Sequence, residues 1–298
     1  MAKYEIKSGV GIIPEGATAI DNYALEDCVE LLSVVIPDTV EVIGDKAFYG
    51  CKGLSEVVLP ESVRVIGEEA FRECISLEKI VLPGKVKRIE KGTFYNCERL
   101  TEIVLPDTVE VIEEWAFSGC SSLTSVVIPE AVRVIGTGAF SRCSSLTSVV
   151  IPEAVKEIRG NAFNGCSSLE KIVIPESVRV IGAWAFNECE SLSEIVIPES
   201  VKIIKNGAFN KCKRRIRIYV PANQIKHYKS FLPKHLHNKI KSIACMELYK
   251  TEGILKKMQL IKNKPQIFFA WLNVHKFILF VILFFVVLIL MAVLLSDY

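Results

Sequence analysis

Hydrophobic and polar positions recur along this chain with a period of 23 residues. The unit is clearest in Pro129–Ile151, PEAVRVIGTGAFSRCSSLTSVVI. Prolines mark the period from Pro14 to Pro221, and cysteines mark it from Cys28 to Cys212. A fixed repeat of this length predicts a solenoid, in which each unit stacks on the next to bury a face that it cannot bury alone.

Within one repeat, Leu100–Pro106 reads LTEIVLP. Leu100, Ile103 and Leu105 are apolar on one side, with Glu102 and Val104 on the other, which predicts a short strand. Pro106 ends it by removing an amide donor. Val109 and Ile112 predict a second short extended segment. Trp115, Ala116, Phe117 and Cys120 have helical spacing, so the return side is expected to be a single helical or 3₁₀ turn. The repeat-equivalent phenylalanines, Phe48 to Phe209, are expected to stack as an aromatic spine. The isoleucines from Ile43 to Ile204 are expected to form an aliphatic one. The alanines from Ala47 to Ala208, with Thr93 as the exception, keep the turn small where it packs on its neighbour.

The same alternation places a column of valines on the outer side of the strand: Val35, Val58, Val81, Val104, Val127, Val150, Val173 and Val196. Beside it run Ser33, Glu56, Lys79, Glu102, Ser125, Ser148, Lys171 and Glu194. Valine is favoured in strands whatever its role, but a contiguous exposed apolar stripe is also a mark of an interaction surface. The candidate protein-binding residues are therefore Val58 through Val196 of this stripe, with Glu102, Ser125, Ser148 and Lys171. A second outward column, Glu41, Arg64, Lys87, Glu110, Arg133, Lys156, Arg179 and Lys202, reads as surface ion pairs.

The run L-x-x-[IV]-x-[IL]-P-x-x-V-x-x-I-x-x-x-AF-x-x-C-x-x-L is filled by Leu123, Val126, Ile128, Pro129, Val132, Ile135, Ala139, Phe140, Cys143 and Leu146. It resembles the 23-residue leucine-rich repeats of the BspA-like family, over about residues 12–220. The resemblance implies a curved α/β solenoid with short parallel strands lining one face. It also implies a role in surface adhesion or protein binding.

Charge and hydropathy divide the chain further. Lys213–Lys276 carries 15 basic and 2 acidic residues, against 21 basic and 32 acidic elsewhere. An acidic repeat body is thus joined to a basic neck, a pattern that points to anionic lipid headgroups and away from nucleic acid. Phe277–Leu295, FILFVILFFVVLILMAVLL, has no polar residue. As a helix it is about 28 Å long, enough to cross a bilayer. Lys256, Lys257, Lys262, Lys264 and Lys276 precede it, with Trp271 at the interface, which places the repeats in the cytoplasm. The expected organisation is a repeat solenoid over 1–220, a C-terminal cap over 221–245, a basic linker over 246–276, a transmembrane helix over 277–295 and a short tail over 296–298. In the cap, Asn223 is expected to start a short helix that runs through Phe231, and Ile240–Ile243 to add a strand.

Met1–Val10 shows no secretory signal, and nine cysteines at one repeat position read as buried free thiols. Both favour a cytoplasm-facing membrane protein. The expected role is a non-enzymatic scaffold for protein recognition; a cell-surface adhesin with the opposite topology is the alternative, and an enzyme with an unrecognised site a third. All four histidines, His227, His235, His237 and His275, lie outside the array, so its serines and cysteines have no imidazole to activate them. His235, His237 and Cys245 do not complete a metal set, no phosphate-binding glycine loop is present, and no cofactor is expected. Gly44, Gly67, Gly136 and Gly182 read as turn glycines.

Overall fold

The computed structural model describes residues 4–212, 216–232 and 234–242. The linker over 246–276, the apolar run Phe277–Leu295 and the tail lie outside the described residues, as do Cys245, Trp271 and His275.

The chain winds as a parallel β-solenoid whose register advances by 23 residues per coil. Glu102 pairs with Lys79, Ile112 with Ile135 and Ile195 with Ile218. Most coils contribute a strand of two to four residues to a first sheet, as in Lys79–Val81, Glu102–Val104 and Lys171–Val173. Most coils add a two-residue strand to a second sheet, as in Val65–Ile66, Arg88–Ile89 and Val134–Ile135. The first sheet is interrupted after Glu102–Val104, where Ser125 makes only an isolated bridge to Ser148. The second is interrupted elsewhere, between Val65–Ile66 and Arg88–Ile89.

The core is made of identical side chains lying over one another. Phe48 through Phe209 stack with ring centroids 5.1 to 5.7 Å apart and interplanar angles of 2 to 13°. The isoleucine, alanine and leucine columns are buried beside them. The nine described cysteines are free. From Cys51 onward, each thiol lies 3.0 to 3.2 Å from the carbonyl at the phenylalanine position of the preceding coil, as Cys143 Sγ does from Phe117 O. The sulfurs therefore aim at backbone and not at one another. Burial holds the thiols of Cys74, Cys97 and Cys143 well above their ordinary pKa and pushes those of Cys120 and Cys166 up to about 12.

The return side differs from the helical or 3₁₀ turn that the residue spacing predicts. Only alternate amides bond within the coil: Ser118 N–H to Trp115 O at 3.1 Å and Cys120 N–H to Phe117 O at 3.2 Å. The amides between them reach the next coil: Trp115 to Thr137 O at 3.0 Å, Phe117 to Ala139 O at 2.8 Å and Gly119 to Ser141 O at 2.8 Å. Such a pattern needs two left-handed residues per coil, which no right-handed helix accommodates. They stand at the position of Trp115 (φ 59°) and at that of Gly119 (φ 80°). Elsewhere the same positions hold Lys46, Glu69 and Trp184, and Glu73, Asn96 and Lys211. The fold is accordingly a β-solenoid and not an α/β one. The turn glycines have a separate role: a Cβ at Gly136 would lie 2.5 Å from the backbone carbon of Glu113.

Both described ends are covered. At the start, Glu5–Lys7 pairs antiparallel with Val10–Ile12 through a two-residue turn, Ser8–Gly9, with φ of 50° and 81°. This matches the left-handed pair that a tight hairpin requires, and it shields the first edge. At the other end, Arg217–Val220 is followed by a 3₁₀ turn at Ala222–Gln224 and a helix at Ile225–Phe231. Gln224, not Asn223, stands at the helix N-cap, and no side chain caps it. Buried Tyr228 lies across the last coil, its Oη 2.9 Å from Pro198 O and 3.0 Å from Val201 O. Ile240–Ser242 adds a final parallel strand against Arg217–Val220.

Candidate functional site

The alternation along the first sheet turns every second residue outward, and the valine column is there. Val35, Val58, Val81, Val104, Val127, Val150 and Val173 are exposed, from 46% at Val104 to 83% at Val127. Their strand neighbours Val57, Ile80, Ile103, Val126, Val149 and Ile172 are buried. With neighbouring strands about 4.8 Å apart, the stripe from Val35 to Val173 is about 29 Å long. It fades at its C-terminal end, where Val196 is half-buried and the next position is the buried Tyr219.

The flanking column divides the stripe into a charged part and a neutral part. Glu56, Lys79 and Glu102 stand in sequence across adjacent coils, with Lys79 Nζ 3.0 Å from Glu102 Oε2. Towards the C-terminal end, Lys171 and Glu194 take over, with Arg217 3.3 Å from Glu194. Between them lie Ser125 and Ser148, and exposed Thr124 and Thr147 precede these in their coils. Thr147 Oγ1 donates back to Thr124 O at 3.3 Å. The centre of the face is thus apolar and uncharged, built from Val104, Val127 and Val150 with small hydroxyl side chains. It coincides with the interruption of the sheet at Ser125. The threonines escaped the sequence reading, although their step of 23 residues carried the signal.

A shallow groove of about 340 Å³ opens between adjacent coils on the same face, lined by Glu56, Val58, Glu61, Lys79 and Val81 among others. The face as a whole offers alternating apolar and polar positions on a fixed backbone. It holds no nucleophile paired with a base. Among the described residues, no cluster of three or more His, Cys, Asp or Glu side chains has the arrangement to hold a metal ion. His237 Nε2 lies 2.8 Å from Leu232 O in the cap. The charged column of the second sheet forms ion pairs between adjacent coils, including Arg64 with Glu41 at 2.9 Å and Arg133 with Glu110.

Comparison with known proteins follows the same lines. The family model described as "BspA type Leucine rich repeat region" matches residues 18–147 and 134–250, in six copies. A leucine-rich repeat protein of T. pallidum is 31% identical, with 62% of this chain and 78% of that one covered and a TM-score of 0.44. A leucine-rich cell surface protein of Faecalibacterium prausnitzii is 26% identical, with 79% and 87% covered and a TM-score of 0.45. A leucine-rich repeat protein of Bacteroides ovatus is 24% identical, with 77% and 76% covered and a TM-score of 0.47. No functionally curated protein matches the chain. With a matched span that takes in most of its length and every coil from the second onward, the chain belongs to the BspA-type leucine-rich repeat family.

Proposed function

We propose that this protein is a non-enzymatic recognition scaffold that takes a protein or peptide partner across the valine stripe. The observation that carries the reading is the row of exposed valines from Val35 to Val173 on a sheet whose other side is fully packed. Apolar surface of this continuity is uncommon on a protein that acts alone. A rigid array loses little conformational freedom when it binds, so most of the interaction remains available as affinity. The contact would centre on Val104, Val127 and Val150, with Ser125 and Ser148 supplying hydrogen bonds and Glu102 and Lys171 fixing the register of the partner.

The test is capture of partners from an extract by a fragment comprising residues 1–245, with and without Val104→Lys, Val127→Lys and Val150→Lys together. The triple variant is expected to fold, since all three side chains face water, and to lose capture. Undiminished capture by the folded variant assigns recognition to another face.

The same proposal includes anchoring by Phe277–Leu295, with the repeats on the cytoplasmic side. Its support is the uninterrupted apolar run and the lysines before it. Among the described residues, no helix is long and apolar enough to cross a membrane. A second reading, an exported surface adhesin, rests on the family type. Protease treatment of intact cells separates the two: survival of the repeat array supports the cytoplasmic topology, and its removal supports the adhesin.

A further inference from the structure

We infer that a notch on the return side, around Gly92, is a binding site for a sugar ring that carries a carboxylate. The notch exists because of the residues in one left-handed column. Lys46, Glu69, Trp115, Asn161 and Trp184 occupy that column in other coils, and Gly92 leaves a gap between Glu69 and Trp115. The gap is a cavity of about 250 Å³ lined by Glu69, Arg72, Lys91, Gly92, Tyr95 and Trp115.

The lining has three properties that fit one ligand. First, Trp115 is held at φ 59°, a conformation that is strained for a bulky residue and that the same column meets elsewhere with Gly138 or Gly207. Its indole lies flat against the next coil, where a Cβ on Gly138 would fall 2.4 Å from the ring. A fixed aromatic surface therefore borders the notch. The C–H groups on one side of a pyranose carry partial positive charge and settle on the negative face of such a ring.

Second, two cations line the notch. Arg72 is locked in place, with its guanidinium carbon 4.4 Å from the centroid of Tyr95 and its Nη1 3.1 Å from Glu69 Oε1. Its Nε is buried, with Glu73 Oε1 3.5 Å away, so the protein holds the guanidinium as a fixed positive charge beside the notch. Lys91 has no ion pair among the described residues and is exposed. A carboxylate on the ligand would pair with Lys91 and lie beside the charge of Arg72. Third, Glu69 is already neutralised by Arg72 and by Lys46, 3.7 Å away. Its remaining lone pairs accept hydrogen bonds from ring hydroxyls without repelling the ligand's charge.

The test is calorimetric titration of the full-length chain with three probes: glucuronate, glucose and acetate. Saturable binding of glucuronate is expected, with glucose at least about tenfold weaker and acetate without saturation. Gly92→Asn fills the notch with a residue that the column already tolerates at Asn161, and Trp115→Asn removes the aromatic surface. Each is expected to weaken glucuronate at least about tenfold, whereas Trp184→Asn, three coils away, leaves it unchanged. Thermal melting establishes which variants are folded, and Gly92→Asn decides the matter if Trp115→Asn does not fold. The inference is overturned by absence of glucuronate binding, by acetate or glucose binding as tightly, or by undiminished binding in folded Gly92→Asn. It is equally overturned by a comparable loss in Trp184→Asn.

Discussion

Truncation of Phe140 tests the stacked core most directly. The side chain is fully buried, with its ring centroid 5.2 Å from Phe117 and 5.6 Å from Phe163. Phe140→Ala removes the ring and leaves a void that the coils above and below cannot close, because their ladders fix the spacing. Loss of a buried phenylalanine costs about 3–5 kcal/mol. Each ring contact adds about 0.5–1.5 kcal/mol beyond area, so the upper part of that range is expected here. Phe140→Leu retains most of the buried area and is expected to lose about 1–2 kcal/mol. The assay is urea unfolding of a fragment comprising residues 1–245, followed by circular dichroism, with the slope compared between variants. An unchanged slope with a lower midpoint for Phe140→Ala supports the account. A loss below about 1 kcal/mol, or an equal loss for alanine and leucine, shows that the rings do not carry the core.

Three further outcomes follow from the same geometry. The buried thiols have folded-state pKa values raised above the ordinary value of 9.0. Their contribution is fully present below pH 9 and is lost as pH rises from there through about 12, because the unfolded chain releases those protons first. Unfolding free energy measured from pH 8 to 11 is expected to fall with a slope that Cys120→Ala makes shallower; a flat profile refutes the burial. Tyr228→Phe removes the hydroxyl that meets Pro198 O and Val201 O, and is expected to destabilise the array by about 1–2 kcal/mol, read as a lower unfolding midpoint. Gly136→Ala forces a methyl group onto the backbone of Glu113 and Glu114 and is expected to cost about 1–3 kcal/mol in the same assay, whereas a neutral result shows that the coils separate freely there.

The columns were legible in the sequence because a solenoid converts period into position. Once Phe117, Phe140 and Phe163 are spaced by 23 residues, stacking follows from the repeat itself, and the outward valines follow from alternation within a strand. The turn conformation was not legible. Its left-handed positions are filled in most coils by residues such as Lys46, Glu69 and Trp115, which carry no glycine signal, and the inter-coil hydrogen bonds that impose φ > 0 are not local. The spacing of Trp115, Phe117 and Cys120 imitates a helix because a tight turn also brings such residues to one side. Ser8–Gly9 did carry a hairpin signal, visible only if the first ten residues are read as structure. In the candidate site, the valines and serines were legible individually. The neutral centre at Ser125, and its coincidence with the interrupted ladder, depend on how three coils meet. The notch at Gly92 likewise depends on side chains from neighbouring coils that no single repeat brings together.

The two seams of hydrogen bonds break at different coils, one after Ile66 and the other after Val104. At each gap in one, the other runs through, in the manner of staggered joints in masonry. A pull along the long axis therefore meets a continuous seam at every cross-section, and rupture must cut across intact ladder wherever it begins. If the array is tethered at one end and loaded by a partner along its flank, as proposed above, that arrangement turns a stack of individually weak units into a strut.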